Sequence, residues 1–358
     1  MLYIIYPFRN RDTIRIEKSL DSLNAQINKD FKVFFVDYGS PYDLAQQVQK
    51  LVSKYDFVAY HYIPSSNQLW NKSIALNYII KNIKEGYCFI SDVDMIYHPD
   101  FVKIAKTLQN KNQAVYFQVG FLSKQETLKT TIFSQYQVKS VSEPGATGMT
   151  LFDVEKLHEI NGYDEFYHFW GFEDTDVHER LKNLGVKVHF YDTQILMLHQ
   201  WHPSYRSKEK NILTGDFQLK NAVRYNYQVL KNVKKNFIIK ANLNGWGKTI
   251  TDSDNIKLQN PQKTVVITNE VNEINAFLYK TLPDQNNEVV SYVLVKDDLE
   301  ETIHFKIKKW LNRKVSKFFS MKEVNDLLLI HLVSFYRNYP YKINIDVAKQ
   351  EITFVINK

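Results

Sequence analysis

A chain of 358 residues that is 44% hydrophobic, 14% aromatic and 24% charged has an ordinary globular composition and the length of about two domains. Its single cysteine, Cys88, excludes an internal disulfide framework and suits a reducing, cytoplasmic setting, most simply as a small core residue. A formal net charge of +7 points to acidic partners such as phosphorylated ligands or anionic lipid, while no zinc-finger, RNA-recognition or homeodomain signature supports nucleic acid.

The opening run MLYIIYPF is far too short for a signal peptide or a membrane span, and no later stretch is long enough, so a soluble or peripheral protein is expected. It reads as a first strand that stops where Pro7 begins a loop. RDTIRIEKSLDSLNAQI follows, with Ile14, Leu20, Leu23 and Ile27 near helical spacing. FKVFFVDYGS is expected to be a buried strand closed by Asp37 and a Gly-Ser turn. DLAQQVQKLVSKY reads as helix, VAYHYI as strand, NKSIALNYIIKNI as helix and YCFISDVD as the next strand. Strands alternating with helices of about a dozen residues argue for an α/β protein with a mostly parallel, doubly wound sheet. Ligands of such sheets sit beyond the carboxyl ends of the strands, where Pro7 to Arg11, Asp37 and the pair Asp92/Asp94 fall.

Beyond residue 100, AVYFQVGFL reads as strand, and EPGATGMTLFDVEKLHEINGYDE as a Gly-bearing turn, a short strand, a helix and another turn. FEDTDVHERLKNLGVKVHFYD reads as a helix with a Gly stop and a strand after it, and FQLKNAVRYNYQVLKNVKKNF as helix again. The polar, turn-rich stretch 245–264 is the best boundary, dividing a first domain over 1–245 from a second over 260–358. The second is expected to be a small α+β unit with strands at TVVITN and VVSYVLV and a hairpin over YKINIDVAKQEITFVIN.

Alternate residues of a strand share a face, so Asp92 and Asp94 are expected to project together while Val93 packs inward. Paired carboxylates at a strand end suit a hard divalent cation such as Mn2+ or Mg2+. D-x-D alone is a weak signal; its neighbours strengthen it. Arg9 and Arg11 stand at the first strand end, where guanidinium groups meet phosphate, and Asp37 at the second, where a carboxylate accepts from a base or ribose. HFWGFEDTDVHERL sets Glu173, Asp174 and Asp176 in the first turn of a helix, where simple capping also explains them. MLHQWHP offers His199 and His202 just after a strand, either able to be a neutral imidazole ligand.

Taken in order, PFRNR, WNKSIALN, SDVD, INGYDE and WGFEDTD resemble the motifs of β-1,4-galactosyltransferases and are similar to bacterial family 2 enzymes of the chondroitin-polymerase type, across residues 3 to about 205. The resemblance implies the GT-A fold, a nucleotide-binding, mostly parallel sheet fused to an acceptor-binding half. It implies that Pro7, Phe8, Arg9 and Arg11 embrace the uridine and diphosphate of a UDP-sugar, with Asp37 near the uracil and Lys72, Asp92 and Val93 near the nucleotide. It implies Mn2+, with Mg2+ as the alternative, on Asp94 and a histidine, His199 rather than His202 or with it. It also makes Trp170, Gly171 and Glu173 acceptor contacts and Asp174, beside Glu173, the catalytic base of an inverting transfer.

Where that family often reads GGEDDD this chain has GFEDTD, so Phe172 replaces a glycine and Thr175 a carboxylate. The expected activity is transfer of galactose or N-acetylgalactosamine to a glycan or lipid-linked glycan in bacterial capsule or lipopolysaccharide synthesis. A UDP-glucuronate or UDP-glucose transferase and a non-catalytic glycan- or nucleotide-binding module are the alternatives. Six Lys/Arg between Lys306 and Lys317 surround Trp310, Leu311 and Val315, either a peripheral contact with the inner face of the cell membrane or a solvated face.

Overall fold

The computed structural model describes residues 1–203 and 210–358, which form two compact units. The first comprises Met1–Ser66, Trp70–Ser204 and Ala222–Thr249. Strand β1 (Leu2–Phe8) leads through α1 (Thr13–Asn24) to β2 (Phe31–Tyr38), and α2 (Tyr42–Val52) to β3 (Val58–Ile63). Helix α3 (Lys72–Ile80) then precedes β4 (Tyr87–Ile90), β5 (Met95–Tyr97) and α4 (Phe101–Thr107). After these come β6 (Gln113–Phe117), β7 (Gly120–Leu122), α5 (Lys124–Leu128), β8 (Val138–Val141), β9 (Thr150–Asp153) and α6 (Val154–Glu159). Helix α7 (Glu173–Asn183), β10 (Lys187–Tyr191), β11 (Met197–His199) and α8 (Ala222–Lys235) complete the unit.

The main sheet has the order β10-β6-β9-β4-β1-β2-β3 and is parallel except for β9, which runs antiparallel to both β4 and β6. This is the expected mostly parallel α/β sheet. Its strands read as near-continuous apolar runs because both faces are covered; Ile4, Val33, Phe35, Cys88 and Phe89 are all fully buried. Each large side chain so buried contributes about 1.5–3 kcal/mol. A second sheet, β5-β11-β7-β8, carries the segments that bear on the site.

Several local expectations change. Strand β1 runs through Pro7 to Phe8, because its pairing with β4 covers only Leu2–Ile5 and Pro7 lacks its N–H where β4 no longer asks for one. On α1 the buried face is Ile16, Ser19, Leu20 and Leu23, while Ile14 is exposed, and the helix ends at Asn24 before Ile27, which is exposed as well. AVYFQVGFL splits at Gln118 into β6 and β7, which belong to different sheets. Most consequentially, β4 ends at Ile90, so Asp92 and Asp94 lie in the turn before β5 rather than on one strand face. Val93 is buried, as expected.

The second unit takes Asn67–Leu69, Tyr205–Asn221 and Ile250–Lys358. It contains α9 (Asp252–Gln259), β12 (Lys263–Thr268), α10 (Val271–Ala276), α11 (Leu282–Asp284) and β13 (Val289–Val295). Helices α12 (Ile303–Trp310) and α13 (Met321–His331) precede the hairpin of β14 (Tyr341–Asp346) and β15 (Glu351–Asn357). The sheet order is β12-β13-β15-β14, giving the small α+β unit expected. Capping boxes at Thr251/Asp254 and Ser320/Glu323 start α9 and α13. No helix among the described residues is long and apolar enough to cross a membrane.

Candidate active site

Two clusters of charged side chains meet around the turn after β4. Ser91 holds the turn, sharing a 2.6 Å hydrogen bond with the buried Tyr97 hydroxyl. The first cluster centres on Asp94. The antiparallel pairing of β5 with β11 sets His199 opposite Met95, and the Gln200 N–H donates to the Asp94 carbonyl at 3.1 Å. His199 Nε2 thereby comes to 3.7 Å from Asp94 Oδ1, and His202 Nε2 to 3.5 Å from Asp94 Oδ2. One ligand atom from each of the three residues lies within 4.8 Å of the others. Both histidines, not one of them, are brought to the aspartate.

Asp94 is buried, yet its Oδ1 accepts no hydrogen bond. A buried carboxylate oxygen left unpaired is costly, and a cation between it and two imidazoles removes that cost. The residues present therefore fit a divalent cation. Arg15 Nη1 stands 3.5 Å from Asp94 Oδ2, itself steered by the α1 cap: Asp12 accepts from the Arg15 N–H at 3.1 Å and from Arg15 Nε at 2.7 Å. Burial, opposed by the Asp94 charge and assisted by His199 and Arg11, lowers the His202 pKa and favours the neutral, ligating imidazole.

The second cluster centres on Lys72. Asn71 caps α3 by accepting from the Ile74 N–H at 2.8 Å, which places Lys72 at the first helical position. Its ammonium donates to both oxygens of Asp174, at 2.9 and 3.2 Å, and lies 3.5 Å from Glu173 and 4.0 Å from Asp92. Burial pushes the Asp174 carboxyl up to about 7 against the pull of Lys72, with Glu173 and Asp92 adding to the rise. Burial alone would lower Lys72, but the carboxylates of Asp174, Asp92 and Glu173 outweigh it and hold the lysine well above its ordinary value. Gly148 passes over this carboxylate; a Cβ there would stand 3.4 Å from Asp174 Oδ2.

The motif preceding Asp174 is built on unusual backbone. Phe169, Gly171 and Phe172 all have positive φ, and Phe172, at +74°, immediately precedes α7. Glycine adopts that conformation freely and phenylalanine does not, which accounts physically for the glycine of the GGEDDD pattern. Here the Phe172 ring packs 5.4 Å from that of Tyr227, and Asn226 Nδ2 donates to the Gly171 carbonyl at 3.0 Å. Glu173 accepts from the Gly171 N–H at 3.0 Å, and Trp170 stays substantially exposed beside them. Asp176, two residues beyond Asp174, is sealed in the interior instead. It accepts from Arg180 Nε at 2.7 Å and from the Tyr167 hydroxyl at 3.2 Å, and Arg180 also donates to the carbonyls of Ile160 and Gly162. Burial, opposed by Arg180, raises the Asp176 carboxyl to about 6.

The remaining expected residues line the ends of β1 and β2. Pro7 and Phe8 end β1; Arg9 Nη2 donates to the Ser66 carbonyl at 2.6 Å, and Arg11 is exposed, its charge felt at His202. Asp37 is fully buried, with Oδ1 accepting from the Ser40 N–H at 2.9 Å and Oδ2 from the Tyr60 hydroxyl at 3.0 Å. Burial raises its pKa despite those bonds and the Arg9 charge. The turn it holds needs Gly39, whose φ is +79° and whose Cβ would fall 2.5 Å from the Ser65 backbone. Arg15 and Gly148 were not anticipated. The Asp-x-x-Arg spacing at Asp12 was the available signal for Arg15; Gly148 had none beyond its being a glycine in a strand-entering turn.

Known proteins resemble this chain in one segment and in fold. Residues 129–203 match the family model described as the N-terminal domain of galactosyltransferase, a stretch carrying Trp170, Glu173, Asp174, His199 and His202. The structure of GalNAc-T7 with UDP, GalNAc and Mn2+ superposes with a TM-score of 0.50 at 12% identity, over 66% of this chain and 49% of that one. S. aureus TarS 1-349 in complex with UDP-GlcNAc gives 0.45 at 12% identity, over 68% and 67%. The mannosyltransferase PcManGT from Pyrobaculum calidifontis with GDP-Man and Mn2+ gives 0.41 at 16%, over 56% of each chain. The chain thus spans about half to two thirds of the length of these structures. No curated protein sequence matches. The fold is that of the GT-A glycosyltransferases, and residues 129–203 are similar to the N-terminal domain of galactosyltransferase.

Proposed function

We propose that this chain is a divalent-cation-dependent, inverting hexosyltransferase that moves galactose or N-acetylgalactosamine from a UDP-sugar to a glycan or lipid-linked glycan, in bacterial capsule or lipopolysaccharide synthesis. The observation that carries the reading is the buried, partnerless Oδ1 of Asp94 facing two imidazoles. One carboxylate oxygen with two nitrogens suits Mn2+ better than Mg2+, which prefers an oxygen shell. Asp94, His199 and His202 hold the cation, which when bound offsets charge on the departing diphosphate.

The chain's own groups supply the rest. Arg9 and Arg11 bring guanidinium charge to the diphosphate, and Asp37 acts by fixing the Gly39–Ser40 turn beside the uridine, since its own oxygens are occupied. Phe8, Pro7 and Val93 shape the apolar side of the nucleotide site. Asp174 accepts the proton of the acceptor hydroxyl as that oxygen attacks the anomeric carbon from the face opposite UDP, inverting the linkage. Lys72 grips both oxygens of Asp174 and opposes the burial that raises its carboxyl, so it positions the base rather than clamping the nucleotide. Glu173 holds the Gly171 backbone, and the Trp170 face stacks on the acceptor sugar.

The test is UDP release from UDP-galactose, UDP-N-acetylgalactosamine, UDP-glucose and UDP-glucuronate, with an acceptor panel, in Mn2+, Mg2+ or EDTA. Turnover of the galacto-configured donors in Mn2+, abolished by EDTA, is expected. Full activity in EDTA contradicts the metal role; tight UDP binding without turnover across the panel makes the chain a binding module.

A further inference from the structure

Helix α12 of the second unit is arranged inside out. It is attached to its unit through Phe305, whose ring lies 5.5 Å from that of Phe318, and Phe318 is tied to the body by a bridge to Glu270. At 100° per residue, Ile303, Ile307, Trp310 and Leu311 fall within an arc of about 100° on the opposite side. Those four are the exposed ones: 77, 50, 81 and 47%. Not one residue of α12 is buried. Ordinary surface helices turn such a stripe toward the core; here it faces away from it.

From Ile303 to Lys317 every charge is positive, whereas Asp297, Asp298, Glu300 and Glu301 precede the helix. Lys308, Lys309, Arg313, Lys314 and Lys317 form no ion pair among the described residues. Of those acidic groups, Glu301 pairs with Lys296 and with Lys306 at 3.3 Å among the described residues. An outward apolar stripe with an exposed tryptophan, flanked by free cations, is complementary to a bilayer whose headgroups are anionic.

We infer that α12 and the segment to Lys317 dock this protein on an anionic membrane surface, with Ile303, Ile307, Trp310 and Leu311 entering the headgroup–acyl boundary and the cations meeting lipid phosphates. This would hold the chain where lipid-linked acceptors reside, yet it stands independently of the catalytic reading, because its evidence lies wholly in the second unit.

The test is co-sedimentation of the full chain with phosphatidylcholine vesicles made with or without phosphatidylglycerol. Binding to the anionic vesicles is expected, weakened about tenfold or more by Trp310→Glu or Ile307→Glu. Lys309→Glu and Lys314→Glu should each weaken it about fivefold or more, an effect that added salt erases. Brominated acyl chains should quench tryptophan fluorescence in wild type and lose that quenching in Trp310→Phe. Retained UDP binding and far-ultraviolet circular dichroism certify that the variants are folded. Equal partition of wild type and Trp310→Glu, or equal binding to neutral vesicles, overturns the inference. So does a dimer in sedimentation velocity that Trp310→Glu abolishes, which would assign the stripe to a second copy of the chain.

Discussion

The Asp94 and Asp174 clusters adjoin one another and differ in a telling way. Asp174 has its counter-charge built in, with both oxygens on Lys72 at 2.9 and 3.2 Å. Asp94 has a buried Oδ1 that accepts no hydrogen bond, with His199 3.7 Å away, while Arg15 and His202 stand 3.5 Å from its other oxygen. A cluster that is complete in itself is suited to moving a proton, and an incomplete one to receiving a cation. Asp92, half-exposed and 4.0 Å from Lys72, belongs with the former although only Val93 separates it from Asp94.

That contrast is breakable. Asp174→Asn should lower kcat by about 10²- to 10⁴-fold while leaving Mn2+ and UDP affinity unchanged, as read by steady-state kinetics and calorimetry. Asp176→Ala, on the same helix, should act on stability instead: it strands the buried Arg180, costing about 3–5 kcal/mol in urea unfolding. Were the two variants to exchange phenotypes, the assignment of the motif's carboxylates would be wrong. His202→Ala and His199→Ala should each weaken Mn2+ binding by at least about 10- to 100-fold without touching the pH dependence.

The pH dependence sharpens the comparison further. Asp174 must be ionised to act as base, and its carboxyl is raised to about 7, so kcat/KM should fall about tenfold per unit below pH 7 and level off above it. Removing the Lys72 charge by Lys72→Met leaves burial and the neighbouring carboxylates unopposed, moving that limb upward by about 1–3 units. Lys72→Arg should restore most of the original limb. An unmoved limb in Lys72→Met would mean that the lysine serves the nucleotide rather than the base.

The element order was largely legible because β-branched and aromatic runs alternate with amphipathic helices, and the turn signals at Gly39 and Gly185 fall where the chain reverses. What stayed hidden depended on pairing at a distance. Period-two alternation put Asp92 and Asp94 on one strand face, but β4 ends at Ile90, where its partner β1 reaches Ile5 and their ladder stops. Of the candidate site, the residues at strand ends and in the WGFEDTD stretch were readable from type and order. Arg15 was not, since it reaches Asp94 across 79 positions of sequence. Nor was the destination of Lys72, set by the meeting of two helix starts, α3 and α7. The separate fates of Asp174 and Asp176 follow from a two-residue step on a helix, which turns one carboxylate toward Lys72 and the other into the core.

The central claim is that Asp94 with its two histidines holds the cation while Asp174 handles the proton. Mn2+ binding followed by water-proton relaxation in the presence of UDP tests it most directly, on wild type, Asp94→Ala and Asp174→Asn. The account predicts wild-type Mn2+ affinity in Asp174→Asn and its loss in Asp94→Ala. Undiminished Mn2+ binding by Asp94→Ala would contradict it.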